Sequence, residues 1–263
     1  MFSQAQFEAT IREIQDGMTE FETNLGKIEP AAAAATDRWY IPDTVADDVK
    51  WLAHETVTWG KGFLDWLLDL LKGVAAPIFM FIDSWKWSDI KGTAVSVAEA
   101  LSAQNLVVDD SNWSGKARDA YVAAASAQAA AATRVGSISD KTMTVLLTAA
   151  AAGLAFYLAL ALVLVKLITA SIAAIVAFGS AVFSWAGAAI ILEEAGVNTA
   201  IVVTALAALT TCLGTQANAM INLHAEAINP ASFPGGHWPN PHTTTYNDST
   251  IRNGGTGWSL KPS

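Results

Sequence analysis

The sequence predicts an all-α protein, on three observations. An apolar seam with 4-3 spacing lies near the start, a second such seam follows a W-x-G tripeptide, and two later stretches are free of charge over bilayer-spanning lengths. The expected architecture is an acidic helical bundle with a W-x-G-turned hairpin over residues 1–140. An apolar, membrane-type helical hairpin follows over 141–228, counting a third stretch of marginal length, and a Pro/Gly-rich disordered tail closes the chain at 229–263.

The first element rests on Phe7, Ile11, Ile14, Met18, Phe21, Leu25 and Ile28, whose alternating steps of four and three are those of a coiled-coil or bundle helix. Such a seam requires a partner, in this chain or in another. Pro30 and an alanine tract are expected to separate this helix from the next. Six of the ten tryptophans follow, at 39, 51, 59, 66, 85 and 87. Trp59, Phe63, Trp66, Leu67, Leu70 and Leu71 share one helical face, with Asp65, Asp69 and Lys72 on the other. Tryptophan marks membrane interfaces, yet an acidic outer face is repelled by anionic lipid, which favours aromatic packing between bundle helices.

Residues 88–107 read as a helix that Asp109–Asn112 interrupt. A new helix begins after Gly115, with a seam of Ala117, Tyr121, Ala124, Gln128, Ala131, Val135 and Ile138. Alanine at most of these positions allows a neighbouring helix to approach closely.

The apolar half begins at residue 142. Lys166 is the only charged residue in positions 142–192, and after Glu193 and Glu194 the chain is again uncharged from 195 to 223. Spanning the hydrocarbon takes about 20 apolar residues. A membrane hairpin would place Lys166 at its turn or just before it, where the ammonium reaches water, and Gly153, Gly179 and Gly187 mark close-packing or turning positions within it. The competing reading makes the same segments the centre of a bundle covered by amphipathic helices. The uninterrupted apolar residues Leu158, Leu160 and Leu162–Val165 favour the membrane.

Only 15% of residues are charged and mean hydropathy is +0.35, whereas a soluble globule carries about 25% charged residues. Residues 1–112 hold 18 of the 24 acids and 8 of the 15 bases. That balance argues against nucleic acid, which demands clustered Lys and Arg. Residues 1–29, with six acids, do not read as a cleavable signal peptide. Cys212 is the single cysteine, which excludes an intrachain disulfide.

No phosphate-binding, nucleophile-elbow or C-x-x-C motif occurs. The four histidines, at 54, 224, 237 and 242, show no metal-ligand spacing. The acidic pairs Asp47-Asp48, Asp109-Asp110 and Glu193-Glu194 fit solvated helix starts and turns better than acid–base chemistry. The expectation is a non-enzymatic chain with no catalytic residue, cofactor or metal.

The junction Asn112-Trp113-Ser114-Gly115, with Ala117 and Tyr121 beyond it, resembles the WxG (Esx-like) family of type VII secretion substrates over about residues 88–140. The resemblance implies a helical hairpin in which Trp113 packs across the turn and Gly115 allows it to be tight. A second W-x-G, Trp185-Ala186-Gly187, lies inside an apolar stretch, where packing explains it. The family's Y-x-x-x-D/E export signal is missing, since Tyr121, Tyr157 and Tyr246 are followed four residues on by Ala125, Ala161 and Thr250. Export would then rely on a helical partner docked on the 7–28 or 117–138 seam.

These features together lead to the expectation of a secreted or envelope-associated protein that inserts into a lipid bilayer, with pore formation after self-association as the furthest step. The alternative is a resident integral-membrane scaffold whose acidic helices form a docking module.

Overall fold

The fold is seen in a computed structural model, which describes residues 4–102, 106, 114–180 and 184–240, excepting the side chains of 116, 184–188, 190–192, 194 and 195. The described residues form five α-helices and no strand: α1 (Gln4–Thr36), α2 (Asp43–Leu71), α3 (Ala76–Ala100), α4 (Lys116–Phe178) and α5 (Ser184–Ala227). A 3-10 turn, Pro234–Gly236, follows. The all-α expectation holds, with α4 and α5 forming the apolar hairpin.

Two element boundaries differ from expectation. Helix α1 does not end at Pro30 but continues to Thr36. Proline forfeits one backbone hydrogen bond there, and the following alanines compensate: they are the best helix formers, and Ala32 and Ala35 are buried. Residues 76–100 form one helix beginning beside Pro77, rather than a separate helix starting at 88. Proline is favoured in a first helical turn, where its missing N–H has no partner to lose.

The chain divides into two units, each discontinuous in sequence. One comprises residues 1–81 with 148–214, the other 82–147 with 215–263.

In the first unit, α1 and α2 form a hairpin whose turn leads into α2 at Pro42. Glu29 pairs with His54 across it at 2.9 Å. The α1 seam is the middle of the core. Phe7, Ile14, Met18, Phe21, Leu25 and Ile28 are buried with Phe63, Leu64 and Leu67 of α2, and with Phe156, Tyr157, Leu160, Leu164 and Leu167 of α4. Full burial of each such side chain stabilises by roughly 1.5–3 kcal/mol, so packing on α2 and α4 fixes α1. Trp59 stacks on Phe63, Phe63 meets Trp66 edge-on, and both tryptophans are partly buried against this core. Trp39, 96% exposed, and Trp51 point to solvent.

In the second unit, α3 packs on the early part of α4. A Cβ at Gly136 would lie 3.7 Å from Val95 and 3.8 Å from Ala94, and Lys91 pairs with Asp140 at 2.8 Å. The end of α5 is joined to α4 through Glu226, which accepts from Lys141 at 2.6 Å and lies 3.3 Å from Arg134. Residues 229–240, expected to belong to a disordered tail, fold back onto this unit. The Gln128 amide donates to the carbonyl of the buried Pro239, and Trp238 lies beside Ile90 and Val135. The rest of the expected tail, 241–263, lies outside the described residues.

Candidate membrane-facing surface

Along residues 151–178, α4 carries two apolar stripes on opposite sides. The inner one, Tyr157, Leu160, Leu164, Leu167, Ser171, Ala174 and Phe178, advances in steps of three and four and is buried. The outer one, Ala151, Ala155, Leu158, Leu162, Val165, Thr169, Ile172 and Val176, is exposed throughout. Leu162 is 66% exposed and Val176 71%. A surface helix of a soluble protein places charged and polar residues on that outer face. Here Thr169 and the exposed Lys166 alone interrupt the apolar side chains, and the Thr169 hydroxyl donates to the Val165 carbonyl at 2.9 Å.

Helix α5 is more exposed still. Ile201, Val202, Leu206 and Leu209 reach the core, while Val197, Val203 and Leu213 do not. Both α4, over Ala117–Phe178, and α5, over Gly196–Ala227, are long and apolar enough to cross a membrane. In the most apolar window of α5 only 11% of residues are buried, against 44% in α4. Three of the polar residues that dilute α5 are satisfied within the helix, whereas the buried Asn198 amide has no hydrogen-bond partner among the described residues. Thr204, Thr210 and Thr211 donate to the carbonyls of Ala200, Leu206 and Ala207 at 2.8–2.9 Å. A hydroxyl bonded to its own helix does not need water. In the sequence, the visible signal of this device is a threonine inside an apolar helix.

Lys166 does not mark a turn. It is exposed within the last quarter of α4, twelve residues before the helix ends at Phe178, and forms no ion pair among the described residues. The 3.6-residue period continues across it because its neighbours Leu164 and Leu167 are core residues. The helix ends at Gly179 instead, whose N–H donates to the Ile175 carbonyl at 2.9 Å. Gly153 is a close-approach position: a Cβ there would run into the ring of Pro77. Gly187 lies within α5.

The W-x-G region is partly described. Gly115 adopts φ +106°, a conformation that favours glycine, directly before α4 begins at Lys116. Its carbonyl accepts the Asp119 N–H at 3.1 Å, opening the helical ladder. Tyr121 is half-buried on α4. Trp113 and the break at Asp109–Asn112 lie outside the described residues, as do Tyr246 and His242.

The 7–28 seam, named as a docking surface for a partner protein, is occupied by the chain itself. The 117–138 seam is partly filled within the second unit, where Ala131 and Ala132 are buried. A cleft of about 360 Å³ remains there, lined by Ile90, Ala94, Val97, Val135 and Trp238. Among the described residues no group of three or more His, Cys, Asp or Glu side chains is placed to hold a metal ion. Cys212 is half-buried on α5.

Comparison with known protein families, with curated proteins and with solved structures finds no match.

Proposed function

We propose that this is a non-enzymatic protein whose α4 and α5 enter a lipid bilayer. The observation that carries this reading is the outer stripe of α4, exposed and free of charge from Ala151 to Val165. The weakly buried α5 and its back-bonded threonines support it.

Lys166 selects the membrane segment of α4. A lysine at the bilayer centre costs roughly 2.5–3.5 kcal/mol, and near an interface it costs much less. Residues 142–165 contain no charge and as a helix measure about 36 Å, enough for a hydrocarbon core of about 30 Å. In this arrangement Lys166 stands at the boundary. The uncharged stretch 196–223 of α5 supplies the return span.

The resemblance of the Trp113–Gly115 turn to WxG substrates supports a secreted or envelope-associated location, reached by a type VII-like route without a cleavable signal peptide. Once inserted, the chains self-associate, and pore formation is the outcome we propose. The small residues Ala151 and Ala155 on the outer stripe allow close helix approach in lipid.

The test is flotation of the detergent-free chain with phosphatidylcholine vesicles that hold a quenched dye. Co-flotation with dye release supports the reading. Recovery only from cell membranes, with no release, favours the resident scaffold. Soluble protein that leaves the vesicles untouched sinks the proposal and makes α4 and α5 a bundle core.

A further inference from the structure

Helix α1 and the bilayer compete for one face of α4, and we infer that α1 is a removable cover whose departure controls insertion. This inference rests on the bilayer reading and adds its regulation. The two helices run parallel in register. Phe7 meets Tyr157, Gly17 lies against Leu164 and Ile168, and Ala31 lies beside Gly179. Helix α1 therefore accompanies α4 through the last part of the 142–165 span and on to the helix end.

The cover cannot enter the hydrocarbon with α4. Its outer face carries Glu8, Glu13, Asp16, Glu20, Glu22 and Glu29, all exposed, and intramembrane carboxylates are tolerated only where they are paired or wetted. A helix at membrane depth must also present apolar residues to lipid or to other helices over its whole circumference. With α1 in place, one side of α4 is occupied by an amphipathic acidic helix. Without it, Tyr157, Leu160, Leu164 and Leu167 become available, and α4 is apolar all round up to Val165.

What α1 supplies to α4 is a contact that lipid can replace. Its contact with α4 is apolar packing, and among the described residues no ion pair joins the two helices. A cleft of about 510 Å³ runs between Arg12, Glu13, Asp16 and Glu20 on one wall and Ala161 and Val165 on the other, so solvent already enters one side of the α1–α4 contact. Exchanging α1 for lipid keeps the inner stripe in apolar surroundings and leaves the α1 acids in water.

Two disulfide locks test the inference, both in a Cys212→Ser background so that no other thiol is present. A Cβ at Gly17 would lie 3.6 Å from Cβ of Leu164, and one at Gly179 would lie 4.0 Å from Cβ of Ala31. Both separations fall within the roughly 3.5–4.5 Å found in disulfides. The first lock is Gly17→Cys with Leu164→Cys. The second, Ala31→Cys with Gly179→Cys, spares the core leucine and serves if the first variant does not fold. Each is mixed with phosphatidylcholine vesicles, oxidised and reduced, and followed by flotation and resistance to alkaline extraction.

The expected result is insertion by the reduced proteins at the rate of Cys212→Ser alone, at least a tenfold slower rate when oxidised, and recovery on adding dithiothreitol. Oxidised protein inserting as fast as reduced protein overturns the cover while leaving the bilayer reading intact. Failure of Cys212→Ser and of both reduced proteins to insert overturns the bilayer reading and the cover with it. Failure of both folded pairs to form a disulfide overturns the α1–α4 register on which the cover depends.

Discussion

Phe7 and Tyr157 meet edge to face, their ring centroids 5.6 Å apart and their planes at 85°. The contact joins the beginning of an acidic helix to a long apolar one, and Phe156 completes the cluster 5.2 Å from the same tyrosine. Phe7 is fully buried, so its truncation leaves a cavity rather than a solvated gap. Phe7→Ala is expected to destabilise the first unit by about 3–5 kcal/mol, read as a lower urea midpoint, and to speed vesicle insertion. Unchanged stability would mean that α1 does not seat at Tyr157.

A charge on the outer stripe separates folding from insertion. Leu162 is 66% exposed, so Leu162→Lys is expected to change folding stability by no more than about 0.5 kcal/mol. One turn inside the boundary at Lys166, the new lysine costs less than the roughly 2.5–3.5 kcal/mol of a bilayer-centre position, and insertion is expected to fall about tenfold. Thermal melting and flotation of one preparation check both halves. Loss of both together would indicate a folding defect.

The turn before α4 depends on glycine. At Gly115, φ is +106°, where a Cβ is strained even though open space surrounds the position. Gly115→Ala is expected to lower stability by roughly 1–2 kcal/mol, as seen in thermal unfolding by circular dichroism, with helix content kept. No effect would mean that the turn relaxes to a negative φ at no cost.

The end of α5 is held by charge. Glu226 accepts from Lys141 at 2.6 Å and faces Arg134 at 3.3 Å. Glu226→Gln is expected to lower the thermal midpoint at low ionic strength. The difference from the parent should shrink in 1 M salt, where the Debye length is about 3 Å. A difference that persists unchanged at high salt would assign the role of Glu226 to packing instead.

The seam of α1 was legible because each core residue alternates with polar ones: Phe7, Ile14, Phe21 and Leu25 stand out against Glu8, Glu13, Asp16 and Glu22. The identical spacing at Tyr157, Leu160, Leu164, Leu167, Ser171, Ala174 and Phe178 was not legible, because the opposite stripe is apolar too and no contrast reveals a period. For the same reason Lys166, the sole charge, looked like a turn when it is one exposed position on an unbroken helix. Pro30 was misleading because propensity alone does not show that Ala32 and Ala35 are buried. The ion pairs of Glu226 join residues 85 and 92 positions apart, beyond the reach of any local pattern. The turn glycine at 115, by contrast, was legible from its motif.

The most direct measurement of the central claim is made at the outer stripe. Leu162→Cys in a Cys212→Ser background, labelled with an environment-sensitive fluorophore, is mixed with vesicles of brominated phosphatidylcholine. Insertion of α4 predicts a blue shift and strong quenching by the bromines at this site, with a label at Trp39→Cys remaining unquenched. An unshifted, unquenched label at position 162 in the presence of excess vesicles would contradict it.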